Sequence, residues 1–209
     1  MVEGLPRSAN SFCVNAIELA FQSKVCVGGH RHVFNSVRDS IDRDIPVIVM
    51  IREPASQVSS LLMKYSIGKK APKLFFSALL RLYKEYYLKV WANIGSITLV
   101  SFDDITSDLD GTIKQLATLI NEDPRETVNT KLVFDRIKQK KLLREEKGRG
   151  RANFNLTVAY PTEEKEILKR ELIQKIRSNE EYQAAFSIYN NIIEHHRNRG
   201  NISSSISCR

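Results

Sequence analysis

Two hydrophobic periodicities alternate along this chain. Compact apolar runs, the mark of strands buried on both faces of a parallel sheet, occur at Val47–Ile51 and, more briefly, at Val25–Val27 and Ile97–Val100, with a stub at Met1–Gly4. Helical spacing fills the intervals. Asn10–Gln22 carries Phe12, Cys13, Ala16, Ile17 and Ala20 on one face, and similar patterns cover Phe34–Ile41, Ala55–Tyr65 and Leu74–Asn93. An amphipathic helix then sets Leu109, Ile113, Leu116, Ala117 and Ile120 in register behind an acidic start, and Asn121–Pro124 ends it. The spacing predicts helix over Arg125–Glu146, loop over Gly148–Tyr160, a helix from Glu163 capped by Thr162, and a last helix over Glu180–Arg199. Gly200–Arg209 reads as a disordered tail. Short parallel strands alternating with helices predict a single α/β domain over residues 1–200 with three α/β/α layers around a short parallel sheet.

In such folds ligands bind beyond the carboxyl ends of the strands, and the residues placed there are informative. Gly4-Leu5-Pro6-Arg7-Ser8-Ala9-Asn10-Ser11-Phe12 is a turn that runs straight into a helix. The frame of an ATP-binding loop, G-x-x-x-x-G-K-[S/T], is filled here by Gly4, Ala9, Asn10 and Ser11, so Asn10 stands where the triphosphate-gripping lysine belongs. The cation comes earlier, at Arg7. Such a loop suits an anion at a helix N-terminus, where free backbone N–H groups and the dipole converge, better than it suits a nucleoside triphosphate. A second anion site is predicted where Val47–Ile51 ends in Arg52-Glu53-Pro54, with Ser59 and Ser60 on the next helix. Arginine offers a bidentate fork and serine a hydroxyl. Arg7, His30, Arg52 and Phe102 all fall just past strand ends, which points to one shared site for a ligand with two phosphate-like groups.

Composition narrows the setting. The 209 residues suffice for one domain with a sizeable core, and 42% hydrophobic and 27% charged residues are ordinary for a globular protein. No apolar run is long enough to span a bilayer, and no basic segment followed by an apolar one marks a signal peptide, so the cytoplasm is the default compartment. The three cysteines, Cys13, Cys26 and Cys208, have unrelated spacings and make neither a disulfide framework nor a metal site; Cys13 and Cys26 are expected as reduced core residues. Of the cations behind the net charge of +8, seven lie between Lys138 and Arg151. That run could face nucleic acid, a membrane surface or an anionic ligand. With no aromatic residue interleaved and no nucleic-acid module recognisable, a small polyanion is the better partner and nucleic acid is not expected.

Taken in order, these motifs resemble the sulfotransferases. G-L-P-R-S-A-N-S-F is similar to their 5′-phosphosulfate loop, G-x-P-[K/R]-S-G-[T/S]-[T/S], with Ala9 where the family has glycine. I-R-E-P-A-S-Q-V-S-S is similar to their 3′-phosphate segment, in which the serine stands eight residues after the arginine, here Ser60. Val100-Ser101-Phe102-Asp103-Asp104-Ile105 resembles the family's Y-E-D-L strand end. The resemblance implies a fold of the P-loop nucleoside triphosphate hydrolase type and the donor 3′-phosphoadenosine 5′-phosphosulfate (PAPS), with adenosine 3′,5′-bisphosphate as product. It implies donor contacts from Arg7, Ser8, Ala9, Asn10, Ser11, Phe12, Arg52 and Ser60, an adenine contact from Phe102, and a late closing loop at Lys147 and Gly148. A histidine base lies in this family near Gly29-His30-Arg31-His32, and His30 fits that placement better than His32. Gly28 stands where a lysine is frequent.

The chemistry asks for the same groups. Sulfuryl transfer, like phosphoryl transfer through a loose transition state, needs positioning and charge stabilisation more than covalent help. Arg7 is the candidate cation for the leaving phosphate, Ser8 and Ser11 are candidate hydroxyl donors, and a histidine is the candidate base for a small-molecule or carbohydrate acceptor. No metal is called for. His195 and His196, on a very polar helix, are expected to be solvated, and Trp91 with Tyr83, Tyr86 and Tyr87 to serve packing. The alternatives are a nucleotide- or nucleoside-type kinase with a degenerate loop, which would need magnesium and a lysine near it, and a non-catalytic anion- or nucleic-acid-binding protein.

Overall fold

The computed structural model describes residues 1–28, 31–65, 71–146 and 163–206. Three strands, β1 (Val2–Glu3), β2 (Ile48–Ile51) and β3 (Thr98–Ser101), form a parallel sheet in the order β1-β2-β3. The described helices are α1 (Asn10–Phe21), α2 (Phe34–Ile41), α3 (Pro54–Lys64), α4 (Lys73–Ala92), α5 (Phe102–Ser107), α6 (Leu109–Ile120), α7 (Thr130–Glu146), α8 (Glu163–Arg177) and α9 (Tyr182–Ile206). The result is a small, mostly helical α/β fold with helices on both faces of the sheet.

The period of two along β2 divides the core. Val49 and Ile51 join a cluster with Val58 and Leu62 of α3, Tyr83 and Tyr87 of α4, Leu172 of α8 and Ile192 of α9. Ile48 and Met50 point the other way, into a cluster with Phe12 and Ala16 of α1, Ile113 and Leu116 of α6 and Val133 of α7. A central strand hydrophobic on both faces therefore carries two cores, as its uninterrupted apolar sequence requires. β1 is only two residues long and stops opposite Val49, so the Met50 carbonyl, one residue further on, faces the loop that follows β1. The buried Tyr87 hydroxyl, from α4, donates to that carbonyl at 2.8 Å, and Tyr83 does the same for Arg52 O at 2.8 Å. The tyrosines expected as packing residues thus also satisfy the end of the central strand.

Several expectations need correction. Val25–Val27 is not a strand of the sheet: β1 offers only a two-residue edge, too short to recruit a neighbour, and the segment lies beside it after a 3₁₀ turn at Gln22–Lys24. Within it the valines are half-buried while Cys26 is exposed, so Cys26 is not a core residue, whereas Cys13 is fully buried. Burial pushes the Cys13 thiol up to about 12. The helix expected from Arg125 begins at Thr130, where the Asn129 carboxamide accepts from Leu132 N–H at 2.9 Å as an N-cap. α9 continues to Ile206, into the stretch read as a tail. His195 and His196 are half-buried rather than solvated: His195 packs edge-on to Trp91 at 5.5 Å, and His196 Nε2 lies 3.4 Å from Asp104. The predicted loop Gly148–Tyr160 and the cap Thr162 lie outside the described residues.

Removing one hydroxyl tests the strand-end arrangement. Tyr87→Phe leaves the Met50 carbonyl buried without its donor and is expected to lower stability by about 1–3 kcal/mol, read as a reduced urea midpoint at unchanged slope. A midpoint equal to wild type would show that the bond contributes nothing.

Candidate anion-binding site

The loop after β1 is shaped by one close approach. Gly4 has φ +147°, and a Cβ there would lie 2.6 Å from Met50 O, 2.7 Å from Ser8 Oγ and 2.8 Å from Asn10 Oδ1. Only glycine satisfies both conditions. The turn beyond it is stapled from inside: Asn10 Nδ2 donates to Gly4 O at 2.8 Å and lies 3.3 Å from Leu5 O, and Ser8 Oγ donates to Leu5 O at 2.7 Å. Gln57 of α3 reaches across to donate to Pro6 O at 3.0 Å. Asn10, at the lysine position of an ATP loop, is buried, and its amide is used to hold the turn.

Ala9 is left-handed, with φ 77° and ψ 17°, and Arg7 has φ 73°. The position where the resembled family carries glycine therefore does require positive φ, and alanine adopts it at a cost of roughly 1–2 kcal/mol. α1 starts immediately afterwards, its first intrahelical acceptor being Ala9 O, bonded by Cys13 N–H at 2.9 Å. The N–H groups of Asn10, Ser11 and Phe12 are thus those a first turn leaves without helical partners. Ser11 is exposed beside them, while Ser8 is buried and turned inward, so of the two expected hydroxyl donors only Ser11 faces outward. Phe12 sends its ring into the core, edge-on to Phe134 at 5.3 Å, and only its backbone belongs to the site.

The second predicted segment meets the first. Arg7 Nε donates to Ser60 Oγ at 3.0 Å, and Arg52 Nη1 donates to Arg7 O at 3.2 Å. Phe102, just past β3, lies under Arg52, with the guanidinium carbon 3.7 Å from the ring centroid. Ser60 is the serine of α3 that engages; the Ser59 hydroxyl is buried and bonds Ser56 O at 3.0 Å. Glu53 supplies the N-cap of α3, accepting from Ser56 N–H at 2.6 Å, and is held by Tyr182 Oη at 2.8 Å and by Arg177 at 3.6 Å. Among the described residues no carboxylate lies within 4.0 Å of either Arg7 or Arg52, and Arg52 Nε is buried with no hydrogen-bond partner. Burial, and next to it the Arg7 charge, pushes Arg52 down to about 10; burial also lowers Arg7. Two half-buried like charges with an unfilled donor make an environment that an anion would relieve.

His32 stands at the same loop, its Nδ1 2.7 Å from Gly4 O. His30, Lys147 and Gly148 lie outside the described residues. Sequence reasoning missed Glu3, a fully buried carboxylate at the end of β1; an acid inside an apolar strand stub was the available signal. A groove of about 720 Å³ bordered by Glu18, Gln22, Cys26, Arg136 and Lys140 lies at the far end of α1, away from these groups.

No protein-family model matches this chain, and no curated protein matches it either.

The strain at Ala9 is measurable. Ala9→Gly is expected to stabilise the protein by about 1 kcal/mol, a gain in Tm of roughly 2–4 °C for a chain of this size, in differential scanning calorimetry. A loss of stability would show that the left-handed conformation costs nothing there.

Proposed function

We propose that this chain is a sulfotransferase that moves a sulfuryl group from PAPS to a hydroxyl or amine acceptor, on a scaffold of the P-loop nucleoside triphosphate hydrolase type. The observation that carries the reading is the meeting of Arg7, Ser60 and Arg52, which joins the helix-start loop and the β2–α3 segment in one cationic cluster. A donor with a sulfated 5′ end and a separate 3′ phosphate offers each segment an anion. Binding would exchange the Arg7–Ser60 bond for charge-assisted bonds to the ligand, the 5′ end taking Arg7, Ser11 Oγ and the N–H groups of Asn10 to Phe12, and the 3′ phosphate taking Arg52 and Ser60. Phe102, which backs the Arg52 guanidinium at 3.7 Å, would border the purine.

In the reaction the acceptor oxygen or nitrogen forms a bond to sulfur as the bond from sulfur to the bridging phosphate oxygen breaks. The leaving bisphosphate keeps that electron pair, and Arg7 stabilises the charge it gains. The acceptor's proton passes to a histidine of the Gly29–His32 segment. The kinase alternative is weakened by Asn10, whose amide is bound to the Gly4 carbonyl at 2.8 Å and cannot grip a triphosphate as lysine does.

Adenosine 3′,5′-bisphosphate at a hundred times its Kd is expected to add about 2.7 kcal/mol of stability without magnesium, a rise in Tm of roughly 5–10 °C. Stabilisation by ATP with magnesium alone would overturn the reading in favour of a kinase.

Arg52→Met separates binding from folding. Burial, and next to it the Arg7 charge, lower Arg52 to about 10 against the pull of Asp103, Glu53 and Glu166, so its charged form is disfavoured in the ligand-free chain. Replacement of a buried charge by an apolar group of similar length is often neutral or stabilising. The variant is therefore expected to keep or raise the urea midpoint while bisphosphate affinity drops at least a hundredfold in calorimetry. A strongly destabilised variant with full affinity would make Arg52 a structural residue.

A further inference from the structure

We propose that Glu3 is the positioning residue of this site: it clamps the Arg31–His32 backbone so that the His32 imidazole stands against the Gly4 carbonyl, which makes His32 the base. The chemical role of His32 rests on the sulfotransferase reading; the clamp does not.

Glu3 is the last residue of β1 and is fully buried. A carboxylate in that position is costly unless hydrogen-bonded, and its partners among the described residues are backbone N–H groups. Oε1 accepts from Arg31 N–H at 2.7 Å, while Oε2 accepts from His32 N–H at 3.1 Å and from Gly4 N–H at 3.3 Å. The acid thereby ties together two segments that the sequence separates by 28 residues, the phosphate-type loop and the histidine segment. His32 has φ 63°, a left-handed conformation that a residue other than glycine holds at a cost its surroundings must offset. The clamp supplies that offset.

The ring orientation follows. Gly4 O can only accept, and because the Asn10 amide, 3.1 Å from Nδ1, already donates to that same carbonyl, the shorter 2.7 Å contact assigns the proton to Nδ1. The lone pair is then on Nε2, the tautomer that general-base catalysis uses when one ring nitrogen is held by a carbonyl. Gly4 is the junction: its N–H goes to Glu3, and its carbonyl takes both His32 and the Asn10 amide, which itself lies 3.1 Å from the same Nδ1. The groups that shape the anion loop therefore also fix the histidine. In the step, Nε2 takes the proton of the acceptor O–H or N–H as the bond to sulfur forms, giving an imidazolium beside a leaving bisphosphate.

Nitrogen-15 NMR of the histidine rings, assigned with His30→Ala and His32→Ala, tests the assignment on the full chain. The expected wild-type result is an Nδ1–H tautomer for His32 and slowed exchange of the Arg31 and His32 amide protons. Glu3→Gln, which puts an amide donor against those N–H groups, is expected to abolish that protection and redistribute the tautomer. With labelled donor and a pool of hydroxyl and amine acceptors, His32→Ala should lose about 10²–10⁴-fold in formation of adenosine 3′,5′-bisphosphate. Glu3→Gln should lose about 10–100-fold, as removal of a positioning partner does, and His32→Ala should bind the bisphosphate within about threefold of wild type. An Nε2–H tautomer, or freely exchanging Arg31 and His32 amides in the wild-type chain, overturns the clamp even if Glu3→Gln does not fold. Turnover lost in His30→Ala and kept in His32→Ala overturns the base assignment. A chain with the clamp signals intact that binds no bisphosphate would instead count against the sulfotransferase reading.

Discussion

Two guanidiniums, Arg7 and Arg52, are held side by side at the carboxyl edge of a three-stranded sheet with no carboxylate within 4.0 Å among the described residues, and the surrounding architecture serves to keep them there. Left to themselves like charges separate, and a half-buried arginine seeks an acid. Here Arg52 is fixed instead by the Arg7 carbonyl and the Phe102 ring, and Arg7 by the Ser60 hydroxyl. These neutral partners orient the cations without cancelling them. The nearest acid in sequence, Glu53, is diverted to cap α3 and to bond Tyr182 and Arg177.

The loop that carries Arg7 reaches this arrangement through close packing and strain. Gly4 lets the chain pass against the Met50 carbonyl, and Tyr87 satisfies that oxygen from the opposite side. Arg7, Ala9 and His32 all take left-handed backbone conformations within this small region. Such residues persist where the surroundings over-determine them, and they gather where a protein holds a ligand or a reacting group. Asn10, Ser8, Gln57 and Glu3 supply the constraint here, each through bonds to backbone atoms. The supports are polar and buried, and each donates to or accepts from the chain's own backbone, with Gln57 Oε1 left without a partner among the described residues.

Much of this was legible beforehand because it is local. Arg7, Arg52 and Phe102 were identifiable from strand ends, helix spacing offered Ser59 and Ser60, and the family resemblance pointed to Ser60; the structure brings Arg7, Arg52, Ser60 and Phe102 together. Ala9 was readable as a departure whose meaning depended on φ, and the structure shows φ 77°. The partners of Glu3 and the inward turn of Ser8 were not readable, although an acid inside an apolar strand stub marked Glu3 itself. A single acid in a two-residue strand and a serine in a turn carry no periodicity, and their partners are set by how distant segments fold back. Val25–Val27 misled for the complementary reason: its alternation is that of a strand, but a ladder needs an edge long enough to pair with, and β1 is two residues long.

Hydrophobic periodicity and turn chemistry therefore determined by themselves strands β2 and β3 and most of the helices, that β2 would be buried on both faces, and that cations would stand at two strand ends, because each depends on residues within a few positions of one another. Tertiary structure alone decided that Arg7 would touch a serine 53 residues away and that a buried carboxylate would gather the histidine segment. Those contacts arise from strand register and from helices packing on two faces of one sheet, and the energy that selects them is spread over a whole core rather than written in any one stretch of chain.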